Sequence, residues 1–301
     1  MNRAAAIDIG TNSTRLLIGE LNKTGKITPL ASELQITRLG AKVDQTGRLN
    51  QASIQRTIEA LAKYKSLLEQ YQVREVRVVA TSAARDVSNQ AEFINKVKER
   101  TGLKVEIITG TEEARLSYLG VIKSLSELLA TDNLVLDIGG GSTEFIFGSS
   151  QRIEDKFSLN VGAVRMTEQS KVISEREKLI KKTLLPQIRK LTGKVKALFG
   201  VGGTITTLAA IERQLVTYDP QKVHGYLLKL TTIERIFSDL AAKTIEERKE
   251  VIGLQPKRAD IIVAGVQILL LIMEVLELTE IIVSEADILE GIIYDCCKGE
   301  N

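Results

Sequence analysis

Short apolar runs typical of strands alternate along the chain with longer segments whose apolar residues recur at helical spacing. In "ASIQRTIEALAKYKSLLEQY", Ile54, Ile58 and Leu61 fall on one face, which predicts an amphipathic helix. The run "VREVRVVATSAAR" predicts a strand that leads into the helix "NQAEFINKVKERTG", and Gly102 is expected to end that helix. Strands come first and then alternate with helices, twice along the chain. This order predicts an α/β protein of two related lobes.

A glycine-containing element occurs near the head of each half of the chain. "IDIGTNSTRLLIG" and "LDIGGGSTEFIFG" share an aspartate, a glycine and a Ser-Thr pair at matching places. Apolar, strand-like residues follow each turn, so each copy is predicted to be a strand, a tight phosphate-sized turn and a second strand. That context excludes a dinucleotide-binding fold, in which the glycines open a helix. A Walker A loop is excluded as well, because Gly193-Lys194 is followed by Val195.

We expect an N-terminal domain at 1–125 and a C-terminal domain at 126–301, with a C-terminal helix at 286–301 that can pack back on the first domain. Ligands in such folds bind beyond the carboxyl ends of the strands, so the cleft between the lobes is the expected site. A third glycine loop, "FGVGGTITTLAAIERQL", runs from a strand directly into a helix. A helix start of this kind attracts anions.

Composition narrows the functional classes. The net charge of +3, the 4% of aromatic residues and the lack of tryptophan argue against a nucleic-acid partner. Cys296 and Cys297 are adjacent, fit neither a disulfide framework nor a zinc site, and suit a reduced cytoplasm. The most apolar segment, 261–273, is too short for a membrane span and contains Gln267, so it is predicted to be a buried helix. The expected protein is cytoplasmic, has no membrane partner, and is a monomer or a homodimer.

Several segments together resemble the exopolyphosphatase/guanosine pentaphosphate phosphatase family, which belongs to the actin-like group. They are "AAIDIGTNSTRLLIG", "ATSAARD", "IITGTEEARLSYLG", "LVLDIGGGSTEF", "LNVGAVRMTE", "FGVGGTITTLA", "VHGYLLKLTTIERI" and "KRADIIVAGVQIL", and they cover essentially the whole chain. The resemblance implies two actin-like (ribonuclease H-like) domains with an interdomain cleft and a phosphoric-anhydride hydrolase activity. The chain resembles the short, two-domain form of the family. It departs from the family at "EADILEG", where Leu289 takes the place of a common arginine.

The resemblance identifies Glu113 as the catalytic base, since it matches the family's catalytic glutamate in "TEEAR". The residues alone leave a second interpretation open. Glu112 and Glu113 both fall in the first turn of a predicted helix, where acidic side chains complement the helix dipole. Glu112 keeps this interpretation.

Arginines near the turns are the expected phosphate clamps, because guanidinium binds phosphate oxygens in a bidentate manner. Arg15 and Arg85 are the main candidates and Arg165 is a weaker one, although a solvated salt bridge is the more common fate of a single arginine. Backbone amides of the three glycine turns should supply further donors. The expected phosphate-binding residues are Thr11, Asn12, Ser13, Arg15, Arg85, Gly139, Gly140, Gly141, Ser142, Gly202, Gly203 and Thr204.

Magnesium is the expected cofactor, because Mg²⁺ prefers few carboxylates together with waters and substrate oxygens. A monovalent cation is a further candidate ion. Asp137 and Glu144 flank the second glycine turn and are the best metal-side carboxylates, with Asp8 third. The aspartates could instead cap their own turns, and Glu144 could be a surface strand residue.

His224 is the only histidine, so nucleophilic or zinc chemistry based on histidine is excluded and a structural hydrogen bond is expected. The predicted function is release of terminal orthophosphate from linear inorganic polyphosphate, by a water molecule that Glu113 directs with the help of Mg²⁺. Release of the 5′ phosphate of guanosine pentaphosphate is the first alternative. A sensor that binds a phosphorylated ligand without hydrolysing it is the alternative from another class, and a kinase comes third.

Overall fold

The computed structural model of the protein describes residues 2–22, 24–85 and 87–297. Short 3₁₀ turns lie at Ser126–Leu128, Arg189–Leu191 and Pro256–Arg258. The strands are β1 Asn2–Ile9, β2 Thr14–Leu21, β3 Ile27–Gln35, β4 Glu75–Ala80, β5 Val105–Ile107, β6 Asn133–Ile138, β7 Thr143–Gly148, β8 Ile153–Leu159, β9 Ala197–Val201, β10 Leu227–Lys229 and β11 Glu280–Val283. The helices are α1 Val43–Thr46, α2 Gln51–Gln70, α3 Ser82–Arg85, α4 Gln90–Thr101, α5 Gly110–Ser124, α6 Ala163–Gln169, α7 Ile173–Ile188, α8 Gly203–Glu212, α9 Pro220–Val223, α10 Leu230–Ala241, α11 Ile245–Lys249, α12 Ile262–Leu276 and α13 Ile288–Cys296.

The chain forms two compact units. Unit 1 consists of Met1–Ser124 together with Asp287–Asn301, and unit 2 is the continuous segment Leu125–Ala286. Helix α13 belongs to unit 1, where it packs against β1, β2 and α5. Unit 1 is therefore built from two separate segments of the chain.

Each unit contains one sheet, and the two sheets share the same plan. The order is β3-β2-β1-β4-β5 in unit 1 and β10-β11-β9-β6-β7-β8 in unit 2. In both, an antiparallel three-strand meander opens the unit and its first strand then pairs in parallel with a later strand. This common order confirms the predicted α/β class with two related domains. The edge strand β10, which the apolar pattern did not predict, is the main addition.

Apolar burial on both sides of the sheets explains why the central strands read as nearly continuous apolar runs. In unit 1, one face of the sheet packs on α2 and α4, and the other packs on α5 and α13. In unit 2, α12 is buried around most of its circumference, as its apolar sequence predicted. No helix within the described ranges is long and apolar enough to cross a membrane.

Two helices end earlier than the sequence predicts, which places one helix at "TEEARLSYLGVIKSLSELL" and another around residues 174–192. Helix α5 stops at Ser124, and residues 126–128 continue as a 3₁₀ turn instead of a further helical turn. Helix α7 contains Pro186 near its end and gives way to a 3₁₀ turn at residues 189–191. Proline lacks the N–H group that an α-helix needs, so Pro186 weakens the last turns of α7. Gly102 ends α4 in the left-handed conformation, with φ 72°, as predicted.

Candidate active site

The first glycine turn joins β1 to β2 in unit 1. The N–H of Gly10 donates to the carbonyl of Ser13 at 2.9 Å, which closes the turn. The carbonyls of Thr11 and Asn12 accept N–H groups from the segment that follows β3, each at 2.9 Å. These contacts hold the turn in place and confirm the predicted strand-turn-strand arrangement. Two carbonyls of the turn thus form hydrogen bonds within the fold.

The second turn, between β6 and β7 in unit 2, repeats the first. The N–H of Gly139 donates to the carbonyl of Ser142 at 3.0 Å. Asp137 lies directly opposite Glu144 in the strand pair, as Asp8 lies opposite Arg15 in unit 1. Both copies therefore place an aspartate near the end of the first strand. At the start of the second strand, the copy in unit 1 has an arginine and the copy in unit 2 has a glutamate.

A glycine shortly after each meander brings backbone against the turn. In unit 2, a Cβ atom on Gly162 would lie 2.5 Å from the backbone of Gly140. Helix α6 begins at this point, and the N–H groups of Ala163 and Val164 donate to the carbonyls of Gly139 and Gly140 at 2.9 and 2.8 Å. The start of α6 thus braces the turn. The signal for this brace was present in the sequence as the paired segments "LGA" at 39–41 and "VGA" at 161–163.

Arg165, on helix α6, also contacts the second glycine turn. Its Nε donates to the carbonyl of Gly141 at 2.7 Å, so one face of its guanidinium contacts the turn. The expected role of Arg165 as a weaker phosphate clamp stays a prediction.

Glu144 is completely buried, with 0% of its surface exposed. Its Oε1 accepts a 2.7 Å hydrogen bond from the hydroxyl of Ser158, the residue opposite it on β8. The alternative of a surface strand residue is therefore wrong. A buried carboxylate costs free energy unless it has polar or cationic partners, and Ser158 is one such partner.

Glu113 lies in the first turn of α5 with 9% of its surface exposed, and its N–H donates to the carbonyl of Thr109 at 2.9 Å. Nη1 of Arg85 is 3.2 Å from Oε2 of Glu113 and 3.1 Å from the carbonyl of Ile108. Arg85 ends the short helix α3, which follows β4. The structure thus brings the predicted base and one predicted clamp into direct contact within unit 1.

The neighbouring Glu112 has different surroundings. Both of its carboxylate oxygens accept 2.8 Å hydrogen bonds from Arg115, and Arg77 lies 3.6 Å away. The hydrogen bonds from Arg115 lower the pKa of Glu112. Glu112 is therefore a member of an ion-pair network on α5, in line with the structural role expected for it.

Arg15 is held between two carboxylates of unit 1. Its Nη2 is 2.7 Å from Oδ2 of Asp8, and its Nη1 donates to Oδ2 of Asp287. Burial raises the pKa of Asp8, and the charge of Arg15 opposes that rise. Oδ1 of Asp8 is buried with no hydrogen-bond partner among the described residues. Sequence reasoning missed Asp287, because no local pattern links it to a residue 272 positions earlier.

The third glycine loop leads from β9 into α8. Gly202 has φ 89°, and a Cβ atom there would lie 3.0 Å from Oδ1 of Asp137. The guanidinium of Arg258 occupies the space beside Gly203 that a side chain would otherwise fill. Thr204 is buried and packs against Gly265 of α12. Arg258, which sequence reasoning did not select, is thus a cation at the start of α8.

The donor set in unit 2 suits a magnesium ion. Asp137 and Glu144 are cross-strand neighbours beside the turn, and two carboxylates with water and substrate oxygens are what Mg²⁺ usually binds. No group of three or more His, Cys, Asp or Glu residues in the described part of the chain could hold a metal by itself. An ion at this place would therefore need water or phosphate oxygens to complete its shell.

His224 takes part in a local hydrogen bond. Its Nδ1 accepts the N–H of Glu285 at 3.2 Å, in the segment that follows β11. This confirms the structural hydrogen bond expected for the single histidine.

Comparison with known proteins identifies the family. The model of the "Ppx/GppA phosphatase family" matches residues 17–300. The chain belongs to the Ppx/GppA phosphatase family. The resemblance found in the glycine turns and in "TEEAR" is therefore confirmed, and the duplicated sheets are those of a phosphatase family.

Relatives of this Ppx/GppA chain differ in length. It is 34% identical over 313 residues to "Exopolyphosphatase 2" of Mycobacterium tuberculosis, covering 97% of this chain and 98% of that protein. It is 38% identical over 312 residues to the "Bifunctional 3-dehydroquinate synthase/phosphatase" of Fusobacterium nucleatum. The match covers 97% of this chain but only 46% of that relative.

Solved structures of Ppx/GppA proteins superpose over nearly the whole chain. The Aquifex aeolicus family member has a TM-score of 0.82 at 38% identity, with 98% of this chain and 97% of that chain covered. An exopolyphosphatase from Cytophaga hutchinsonii has a TM-score of 0.90 at 28% identity, with 97% of both chains covered.

Proposed function

We propose that this Ppx/GppA protein is an exopolyphosphatase that releases terminal orthophosphate from linear inorganic polyphosphate. The observation that carries the proposal is the contact between Glu113 and Arg85, which places a carboxylate and a guanidinium 3.2 Å apart at the start of α5. A base that receives a proton from water and a cation that stabilises phosphate oxygens are the two groups such a hydrolysis needs. The similarity to "Exopolyphosphatase 2" over the full length of that protein supports the substrate class.

In the proposed reaction, the carboxylate of Glu113 orients a water molecule and accepts its proton. The water oxygen forms a bond to the terminal phosphorus, and the bridging P–O bond to the rest of the chain breaks. The bridging oxygen stays with the shortened polyphosphate as a terminal phosphate oxygen, and orthophosphate leaves. Arg85 stabilises the negative charge on the transferred group and holds Glu113 in position.

The glycine turns are proposed to bind phosphate groups. In unit 1 the residues are Thr11, Asn12, Ser13 and Arg15. In unit 2 they are Gly139, Gly140, Gly141, Ser142, Gly202, Gly203 and Thr204. Backbone N–H groups in tight turns and at a helix start bind anions without further charge.

Asp137 and Glu144 are the residues we propose for Mg²⁺, with Asp8 as a third carboxylate in unit 1. A bound magnesium ion supplies positive charge that neutralises phosphate oxygens during hydrolysis. The buried position of Glu144 beside the turn supports this assignment, since a carboxylate there gains from a cation.

A guanosine pentaphosphate phosphohydrolase is the second candidate. The contact between Arg258 and Gly203 suits either substrate, because a guanidinium beside a helix start can bind the phosphates of a nucleotide as well as those of polyphosphate. The remaining alternative is a sensor that binds phosphate compounds without hydrolysing them.

Phosphate release from purified protein with Mg²⁺ tests the proposal. Short polyphosphate, long polyphosphate, guanosine pentaphosphate and ATP should be compared side by side. Release mainly from polyphosphate is the expected result. Release mainly from guanosine pentaphosphate would support the second candidate, and binding without release from any substrate would support the sensor.

A further inference from the structure

The ion cluster around Arg15 contains more negative than positive groups. Its guanidinium contacts Oδ2 of Asp8 at 2.7 Å and Oδ2 of Asp287. Asp8 and Asp287 are 6% and 4% exposed, and 22% of the Arg15 side chain is exposed. The single guanidinium is thus shared by two carboxylates at the strand end that leads into the first glycine turn. That arrangement is unfavourable for a phosphate.

Asp287 is fixed in this position by the fold. It is the N-cap of α13, and its Oδ1 accepts the N–H of Leu289 at 3.0 Å while Oδ2 faces Arg15. Glycines lie at both close approaches of α13 to α5. A side chain at Gly120 would overlap the backbone of Asp287, and one at Gly291 would overlap the backbone of Leu116. The two helices are in backbone contact here, so Asp287 cannot withdraw from Arg15 without moving α13.

We propose that Asp287 is a positioning residue that acts through Arg15 and sets its affinity for phosphate. Its carboxylate accepts a hydrogen bond from Nη1 of Arg15, so an anionic substrate that binds this guanidinium has to compete with Asp287. This inference rests on the proposed function of Arg15 as a phosphate clamp and adds to it. It predicts that this protein has a lower affinity for phosphate chains than the glycine turns would give without Asp287. The negative charge of Asp287, the N-cap of α13, lowers that affinity.

A purely structural salt bridge is the competing explanation. In that case Arg15 and Asp287 fasten α13 to unit 1, and loss of the contact lowers stability without changing the affinity for phosphate. The two explanations differ in the sign of the effect on ligand binding. The substitution Asp287→Asn separates them, because asparagine is as good an N-cap as aspartate and keeps the hydrogen bond to Leu289 while removing the charge.

The first measurement is the dissociation constant of inorganic tripolyphosphate by calorimetry, for wild type and Asp287→Asn. Loss of one negative charge beside the ligand is expected to lower this constant about fivefold. The KM for polyphosphate should fall similarly, with a smaller change in kcat. Asp295→Asn is the matched control, since it removes the same charge from the same helix at a residue that pairs with Arg77 and Arg115. It should leave the dissociation constant unchanged.

The second measurement does not depend on activity. Phenylglyoxal modifies accessible arginines, and mass spectrometry reports the rate at Arg15. We expect Arg15 to react about threefold faster in Asp287→Asn, because only one of its two carboxylate partners remains. Inorganic phosphate should protect Arg15 better in the variant than in wild type. Equal rates and equal protection would overturn the inference, whether or not the wild type hydrolyses polyphosphate. An unchanged or higher dissociation constant in a folded variant would overturn it as well.

Absence of phosphate release by the wild type, together with better protection of Arg15 by inorganic phosphate in Asp287→Asn than in wild type, would be a different result. It would contradict the proposed exopolyphosphatase activity and support the role of Asp287. The two proposals therefore fail separately.

Discussion

Glu290 is a residue whose acid–base behaviour the fold changes strongly. Burial, and next the charge of Asp287, raise the pKa of Glu290 from 4.5 to about 8. Its Oε2 accepts the N–H of Asp287 at 2.9 Å as part of the capping box of α13. The folded protein therefore keeps a proton on Glu290 at neutral pH that the unfolded chain would release.

A pH dependence of stability follows from this proton. Between about pH 4.5 and about pH 8 the folded state binds more protons than the unfolded state, so the free energy of unfolding decreases as the pH rises through that window. Glu290→Gln keeps the capping acceptor and removes the titration. Its stability relative to wild type is expected to increase steadily from about pH 5 to about pH 8, measured by chemical denaturation.

Glu112→Gln is the control for this prediction. The pKa of Glu112 is lowered below 4.5, so Glu112 is ionised in both states above about pH 5. The stability difference between Glu112→Gln and wild type should therefore stay constant across the window. A constant difference for Glu290→Gln as well would contradict the raised pKa.

Some of the site residues could be predicted from sequence and others could not. Glu113 and the glycine turns lie in short contiguous motifs, so local sequence carries their signal. Asp287 and Arg258 act on residues far from them in sequence, and only the folded chain shows these contacts. The exposure of Glu144 was left open by the sequence, since alternation along a strand does not say which face is covered.

At the scale of elements, the contact between α6 and the second glycine turn leaves no room for a single added methyl group. A Cβ atom on Gly162 would approach the backbone of Gly140 to 2.5 Å, and neither backbone can move without loss of the hydrogen bonds at the start of α6. Gly162→Ala is therefore expected to lower the free energy of unfolding by about 1–3 kcal/mol, measured by chemical denaturation.

Gly47→Ala provides the comparison. Gly47 has φ 62° and no atom within 4 Å of its Cβ position, so only backbone strain of about 1 kcal/mol is expected. If Gly162→Ala costs no more than Gly47→Ala, the proposed brace does not hold the turn in place.

Helices and strands were predicted correctly where the apolar pattern extends over many residues, and they were missed where the pattern is short. The hairpins and the buried helix α12 were predicted, because their apolar patterns are long and regular. Strand β10 has three residues, of which only Leu228 is buried, and three residues give no readable pattern. Helix α5 ends early because residues 126–128 form a 3₁₀ turn. The apolar pattern of the sequence does not distinguish such a turn from a further turn of α-helix.

At the scale of the whole molecule, unit 1 depends on a segment that arrives last in the chain. Helix α13 contributes Ile288, Ile292 and Ile293 to the apolar cluster that covers one face of the unit 1 sheet. The sequence predicts that a C-terminal helix at 286–301 can pack back on the first domain, whereas only the fold shows which core residues this helix shares with unit 1. Unit 2 is continuous in sequence and has its own core.

Truncation after Ala286 tests this dependence. Removal of α13 would expose the apolar face formed by β1, β2 and α5, so unit 1 is expected to lose most of its protection. Hydrogen exchange followed by mass spectrometry should show fast exchange in peptides from residues 2–124 and retained protection in residues 125–286. Retained protection in both segments would contradict the assignment of α13 to the core of unit 1.

The central claim is that Glu113 directs the water that attacks the terminal phosphate. Its most direct test is single-turnover phosphate release from polyphosphate by Glu113→Gln, with Glu112→Gln as the adjacent control. We expect Glu113→Gln to lose about 100-fold or more of the rate while it still binds polyphosphate, because the amide keeps the shape of the side chain but cannot accept the proton. Glu112→Gln should stay close to wild type. Near-wild-type release by Glu113→Gln would contradict the claim and place the base elsewhere.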